Sequence, residues 1–318
     1  MAALIGRDAA GEVALDSAIM IRTAEVHDDR LRLGVGATLV RLSDPAAEAA
    51  ETRAKAAGLL AAFGAHEDPA GPRAPADVAR LDMDPEIRRL LAERNSSLAR
   101  FWLEPRRGDG ARRPELAGRR GLIIDAEDTF TAMLACQLES LGARIELRSW
   151  REQPDVSDLG YDFAVLGPGP GDPRDLADPK IVALRRMVRR ALADDVPFLA
   201  VCLSHQVLCG VLGLDLVRRK QPNQGVQLPV QLPWGEELVG FYNTFAGFSP
   251  IDRFTLPGLA RPVEVFRDRV TGQVHALHGP GFAGVQFHPE SVLTEHGSRI
   301  LGELLAGVMA LVPRAVLA

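Results

Sequence analysis

Aromatic side chains are scarce in this 318-residue chain: they make up 5% of it, with only 2 tyrosines and 3 tryptophans. Alanine, leucine and valine must therefore fill the core, and a hydrophobic content of 47% is ample for that. Cysteine is also rare. Three cysteines, an odd number without framework spacing, exclude a disulfide-stapled fold and point to a reducing, cytoplasmic compartment. There is no excess of positive charge: the formal net charge of −5 gives no electrostatic footing on nucleic acid or an anionic membrane. Long apolar runs are missing too. The stretch Ile300–Leu311 is interrupted by Glu303 and is too short to span a bilayer, so it reads as a final packed helix. Residues Met1–Asp8 have neither the basic start nor the apolar stretch of a secretory signal. No internal repeat is visible, and the length fits about two domains.

Against these absences, Cys202 stands out. It closes the apolar run Pro197–Val201 and is followed at once by the helix-like Leu203-Ser204-His205-Gln206-Val207-Leu208. A buried strand that ends at a cysteine and turns straight into a helix presents the sulfur to the helix N-terminus, where exposed N–H groups favour the thiolate. This is the layout of a nucleophile elbow, suited to attack on a carbonyl carbon. Cys136 and Cys209 sit within apolar helical stretches and read as core. Far downstream, Gly284-Val285-Gln286-Phe287-His288-Pro289-Glu290 offers a base and an orienting carboxylate. In an extended segment residues two apart share a face, so His288 and Glu290 can act on one another. A third element is Gly167-Pro168-Gly169-Pro170-Gly171, which leaves the short apolar strand Phe163–Leu166. With no Lys-Ser/Thr after it, the loop is no phosphate cradle. It is either an ordinary turn or a stiff donor loop beside the nucleophile.

From Arg119 onward, strand-like and helix-like segments alternate. Strands are expected at Gly121–Asp125, Arg144–Leu147, Phe163–Leu166, Val226–Gln231, Glu237–Tyr242, Val263–Phe266, Val274–Leu277 and Val285–Phe287, besides the cysteine strand. Helices are expected at Thr129–Leu141, Pro179–Ala193 and Ser204–Leu212, with the Arg185-Arg186 and Arg189-Arg190 pairs on a solvated face. Such alternation predicts an open, doubly wound, mostly parallel sheet with its chemistry at the carboxyl ends of the strands. Residues 64–118 read as a linker with loops around Pro69–Pro75 and Arg106–Pro114. Between them a helix over Asp84–Trp102 is expected, with Asp84 as N-cap and Pro85 at the first position. In the first 63 residues, Ala18–Val26 and Leu31–Val40 read as a hairpin turning at His27–Arg30, and Ser43-Asp44-Pro45 caps a helix, Pro45–Phe63. Glu48 and Glu51 share a face of that helix; by spacing alone they are a solvated acidic pair.

Residues Arg119 to Ala310 resemble class I glutamine amidotransferases, in the cysteine elbow, the glycine loop, the His-x-Glu and the opening Leu122–Thr131. The resemblance implies an α/β domain of flavodoxin-like sheet order over residues 119–318. In it Cys202 is the nucleophile, His288 the general base and acid, and Glu290 the orienting carboxylate. It further implies Gly169 and Leu203 as oxyanion donors, and Gln206, Thr244 and Phe245 as the glutamine-binding residues, with no cofactor for this half-reaction. Where the family carries Cys-x-Gly-x-Gln, this chain has Ser204, whose Cβ is expected to strain a tight turn. Together with Gln221–Val226 and Tyr242–Phe245, which replace family motifs, this is similar to the amidotransferase half of phenazine-type 2-amino-2-deoxyisochorismate synthases. Phe101-Trp102 resembles their interdomain region.

The first 63 residues resemble the C-terminal end of chorismate-utilising synthases. That likeness implies that Arg22, Gly34 and Gly36 face substrate carboxylates, and that Glu51 with Glu48 forms part of a Mg²⁺ site that is incomplete here. The implied protein is a glutaminase feeding ammonia to chorismate amination, with the rest of the synthase supplied by a missing domain or a partner subunit, as a homodimer or hetero-oligomer. The corresponding part of anthranilate synthase, or a non-catalytic assembly module, are the alternatives.

Overall fold

The computed structural model describes residues 2–7, 13–18, 24–28, 30–37, 43–62, 84–103, 112–158 and 160–310. The chain falls into two units, Met1–Ile87 and Arg88–Ala318. In the first, strands β1 (Ala2–Arg7) and β2 (Val13–Ala18) form one antiparallel pair. Strands β3 (Ala24–His27) and β4 (Arg30–Leu33) form another, with His27 opposite Arg30. The turn is thus tighter than the sequence led us to expect, and residues 34–37 are irregular instead of strand. Helix α1 runs Pro45–Ala62; Asp44 caps it by accepting the Ala47 N–H at 2.8 Å.

The helix expected over Asp84–Trp102 is in fact two, α2 (Pro85–Arg94) and α3 (Arg100–Leu103). Asp84 caps α2 through the Glu86 and Ile87 N–H groups, as expected. The break follows from Asn95-Ser96-Ser97: the Ser96 hydroxyl donates to the Glu93 carbonyl at 2.7 Å, a local bond that competes with continued helix. The expected loop around Pro69–Pro75, and that of Arg106–Pro114 as far as residue 111, lie outside the described residues.

From here strands and helices alternate: β5 (Arg120–Asp125), α4 (Thr131–Ser140), β6 (Arg144–Ser149), β7 (Phe163–Leu166), α5 (Pro179–Ala193), β8 (Phe198–Val201), α6 (Leu203–Val211). A more antiparallel stretch follows: β9 (Asp215–Arg218), β10 (Val226–Leu232), β11 (Gly235–Phe241), β12 (Phe245–Phe248), β13 (Arg253–Phe254), β14 (Val263–Arg267), β15 (Val274–Gly279), β16 (Phe282–Val285), closed by α7 (Gly297–Ala310). Eight strands form one sheet in the order β13-β14-β15-β16-β8-β7-β5-β6. The five from β16 to β6 are mutually parallel, and β13, β14 and β15 extend the sheet antiparallel. The fold is therefore α/β with a mostly parallel central sheet.

Alternation along the buried strands supplies both faces of that sheet. Leu122, Ile124, Ala164, Leu166, Phe198 and Ala200 pack with α5 and α6 on one side. Ile123, Phe163, Val165, Leu199 and Val201 pack with α4 and α7 on the other. Residues buried on both faces explain why these strands read as continuous apolar runs. The chain steps from β5 outward to β6 and then back past β5 to β7. Strand order reverses there, and the carboxyl ends of β5, β7 and β8 open onto one crevice.

Candidate active site

Cys202 occupies the single residue between β8 and α6, with φ +50° and ψ −103°. A non-glycine residue at positive φ is strained, and the surrounding structure holds it there. Its N–H donates to the Val285 carbonyl at 2.9 Å, and its own carbonyl accepts the Gln206 N–H at 3.0 Å. Strain thus sits on the candidate nucleophile itself. Ser204, where we expected it, is helical and wholly buried, and its hydroxyl donates to the Gly167 carbonyl at 2.7 Å.

Cys202 and His288 lie together. His288 is buried beside Cys202 and, through Nδ1, hydrogen-bonded to Glu290 Oε1 at 2.7 Å. Nε2 is thereby left for the sulfur. Burial opposes a charge on the imidazole, but the Glu290 carboxylate and Cys202 beside it outweigh burial and hold its pKa well above the ordinary value. The reason the pair meets differs from the extended-strand argument. Sheet pairing ends at Val285, His288 makes one isolated bridge to Gly240, and Pro289-Glu290 form a turn. The turn folds the carboxylate back under the ring. It is held by Thr294, whose hydroxyl donates to the His288 carbonyl at 2.5 Å and accepts the Gly240 N–H at 3.0 Å. Phe130 and Tyr242 stand against the imidazole at 5.6 and 5.1 Å between ring centres.

His205, three residues after Cys202, is turned away from the candidate site. It points into the core with Nε2 3.6 Å from Cys209 Sγ, and burial pushes its pKa down to about 3. Cys209 itself is buried, and its thiol is pushed up out of the titrating range by that burial. Of the three free cysteines, only Cys202 faces an imidazole that carries charge.

The glycine loop is fastened at the same crevice. A Cβ added to Gly169 would lie 2.1 Å from the Ala126 carbonyl oxygen, so only glycine lets the loop lie so close to the end of β5. Leu203, as first residue of α6, has an N–H without an intrahelical acceptor. Gln206 donates to the Phe245 carbonyl at 2.7 Å and to Gln286 Oε1 at 3.1 Å. Phe245 opens β12, and the Thr244 carbonyl before it accepts the Arg219 N–H at 2.9 Å. Gln286 was not singled out from the sequence, yet its Nε2 lies 3.7 Å from Cys202 Sγ. The signal was present: Gln286, His288 and Glu290 recur at every second position.

The candidates of the N-terminal unit do not form a comparable site. Arg22 lies outside the described residues. Gly34 and Gly36 are exposed, and Lys55 reaches both the Gly36 carbonyl, at 3.2 Å, and Glu51, at 2.8 Å. A cation-binding carboxylate is thus already neutralised by a lysine. Among the described residues no three His, Cys, Asp or Glu side chains gather as metal ligands, so Glu48 and Glu51 do not by themselves fit a Mg²⁺ site. No helix among the described residues is long and apolar enough to cross a membrane.

An α/β sheet with a strained cysteine at a strand–helix junction, backed by a buried His–Glu pair, defines a thiol-nucleophile domain. Residues 122–307 match the model of the class-I glutamine amidotransferase family, and the chain belongs to that family. Residues 9–61 match that of chorismate binding enzymes. The chain is 47% identical over 306 residues to a protein of Pseudomonas fluorescens named anthranilate synthase, phenazine specific, covering 96% of this chain and 46% of that one. It is 32% identical over 192 residues to aminodeoxychorismate synthase component 2 of Klebsiella aerogenes, covering 58% of this chain and 98% of that one. An anthranilate synthase of Azospirillum brasilense is 29% identical over 306 residues, 93% of this chain and 35% of its own length. The chain thus spans about half, or less, of the length of the fused relatives it matches.

Proposed function

We propose that residues 119–318 hydrolyse glutamine through a Cys202 thioester and deliver ammonia for the amination of chorismate to 2-amino-2-deoxyisochorismate. Residues 1–63 are then the tail of the chorismate-utilising domain and residues 64–118 the linker. The observation that carries the reading is the strained Cys202 facing the charged His288–Glu290 pair. The sulfur attacks the side-chain amide carbon of glutamine, and the resulting oxyanion takes N–H donors from Leu203 and Gly169. The His288 imidazolium gives its proton to the departing nitrogen, ammonia leaves, and a glutamyl thioester remains. Water, losing a proton to the same imidazole, attacks the thioester and frees glutamate and the thiol. Gln206, Thr244 and Phe245 hold the glutamine backbone. Chorismate binding needs the remainder of a synthase domain, from a longer chain or a partner subunit, and Mg²⁺ held there would polarise the chorismate side. A reducing cytoplasm is the compartment we assign, which suits three free thiols.

Glutamate release measured for the chain and for Cys202→Ala tests the first step: activity in the parent and none in the variant is the expected result. Products formed with chorismate, glutamine, Mg²⁺ and the missing synthase portion then distinguish 2-amino-2-deoxyisochorismate from anthranilate.

A further inference from the structure

The segment leading into the amidotransferase domain is fastened to the turn that carries Glu290. Trp102, in α3, donates its indole N–H to the Glu290 carbonyl at 2.8 Å. Ala99, fully buried, donates its backbone N–H to the Val292 carbonyl at 2.8 Å. The Ser97 carbonyl accepts from Gln227 Nε2 at 2.7 Å, and the same amide reaches the Leu293 carbonyl at 2.9 Å. Three ties therefore run in register along Glu290–Leu293. Phe101 stands edge-on to the Trp102 indole, with ring centres 4.6 Å apart. Helix α2 just before has no buried residue, whereas Ala99 is fully buried where the segment meets the turn.

We propose that Trp102 is a positioning residue for Glu290, and that Ser97–Trp102 is a clasp holding the His288–Glu290 turn in register with Cys202. This rests on the glutaminase reading above. Glu290 must present Oε1 to an imidazole that in turn faces the sulfur, and a small displacement at the end of such a relay is felt at the reacting atom. A single hydrogen bond to the Glu290 backbone acts where displacement would otherwise begin. The clasp also explains why the chain breaks its helix at Asn95–Leu98: a continuous helix would not lay Ser97 and Ala99 against Gln227 and Val292.

Trp102→Phe removes the indole N–H and keeps an aromatic ring beside Phe101. The readouts are steady-state glutamine hydrolysis, thermal melting, and the pH dependence of Cys202 alkylation by iodoacetamide, resolved by peptide mapping because Cys136 is also a free thiol. Loss of one such bond is expected to lower kcat about fivefold with KM within about twofold. The alkylation profile should move alkaline, because the imidazolium facing the sulfur is less well held when Glu290 is displaced. Wild-type kcat and profile in the variant would overturn the proposal. So would a lowered melting temperature with an unmoved profile, which is the mark of packing alone. Separately, a parent chain that hydrolyses no glutamine and whose Cys202 is not labelled by the glutamine-like diazoketone 6-diazo-5-oxo-L-norleucine overturns the amidotransferase reading itself. If the diazoketone labels Cys202 without turnover, the alkylation profile still decides the role of Trp102.

Discussion

Ser204 Oγ and the Gly167 carbonyl oxygen are joined by a 2.7 Å hydrogen bond between two fully buried groups 37 residues apart. The bond ties the first turn of the elbow helix to the first residue of the glycine loop. It therefore couples the proposed nucleophile Cys202, two residues before Ser204, to the proposed oxyanion donor Gly169, two residues after Gly167. A glycine at position 204 would leave this tie unmade.

Ser204→Ala should cost about 1–2 kcal/mol of stability, because the Gly167 carbonyl loses a buried donor. Ser204→Gly should cost about 1 kcal/mol more, since glycine is the weaker helix former. Denaturant titration of the two variants checks the order. Glutamine kcat should fall several-fold in both. Equal stability of parent and Ser204→Ala would show that the hydroxyl contributes nothing.

Gly169→Ala is a sharper perturbation. Its Cβ would meet a backbone atom, the Ala126 oxygen, at 2.1 Å, so the loop has to move and no side chain can yield instead. Moving it withdraws the Gly169 N–H from the developing oxyanion, which should lower kcat on the order of 100-fold. KM should change much less, because the proposed glutamine-binding residues Gln206 and Phe245 are not displaced. A kcat within a few-fold of the parent would take Gly169 out of the oxyanion hole.

Much of this was legible in the chain. The strands Phe163–Leu166 and Phe198–Val201 are continuous apolar runs bounded by Gly and Pro, and helix Pro179–Ala193 announces itself by Asp178-Pro179 at its start; all appear close to where they were expected. The antiparallel part was harder. Strands β9, β12 and β13 are short, β9 and β13 carry charged residues, and their pairing is set by partners in other segments, Arg218 with Phe245 and Arg253 with Glu264. Strand β16 was expected to begin three residues too late, because Val285 and Phe287 alternate with polar Gln286 as a half-buried strand would, although pairing has stopped at Val285. In the site, the elbow was readable from a strand–helix junction. Thr294 was not, since it acts on a backbone N–H, that of Gly240, 54 residues away in sequence; Gln286 sits on the every-second-position pattern with His288 and Glu290, and Trp102 was marked only by a resemblance.

The backbone of Cys202 stores strain that glycine would release. At φ +50° a side chain costs of order 1–3 kcal/mol, whereas glycine is freer in the unfolded chain by about 0.5–1 kcal/mol. The first effect is the larger. Cys202→Gly is therefore expected to be more stable than Cys202→Ala by about 1 kcal/mol, and both to be devoid of glutaminase activity. Equal melting temperatures for the two would remove the argument that the fold imposes this geometry on the nucleophile.

The His288–Glu290 pair makes both activity and stability depend on pH, with a definite sign. Burial disfavours the imidazolium, but Glu290 and Cys202 raise the His288 pKa well above its ordinary value of 6.5. The folded chain then holds this proton more tightly than the unfolded chain does. The resulting stabilisation is complete below about pH 6.5 and is lost as pH rises through the folded value. In Glu290→Gln the carboxylate charge is gone and burial acts with less opposition, so the His288 titration should move down. The melting temperature of the variant should then fall less than the parent's between pH 7 and pH 9. Nitrogen-detected NMR of the imidazole follows the titration directly. An unshifted His288 in Glu290→Gln would mean that the carboxylate holds the ring without stabilising its charge, and the acid step assigned to His288 would need another source of its proton affinity.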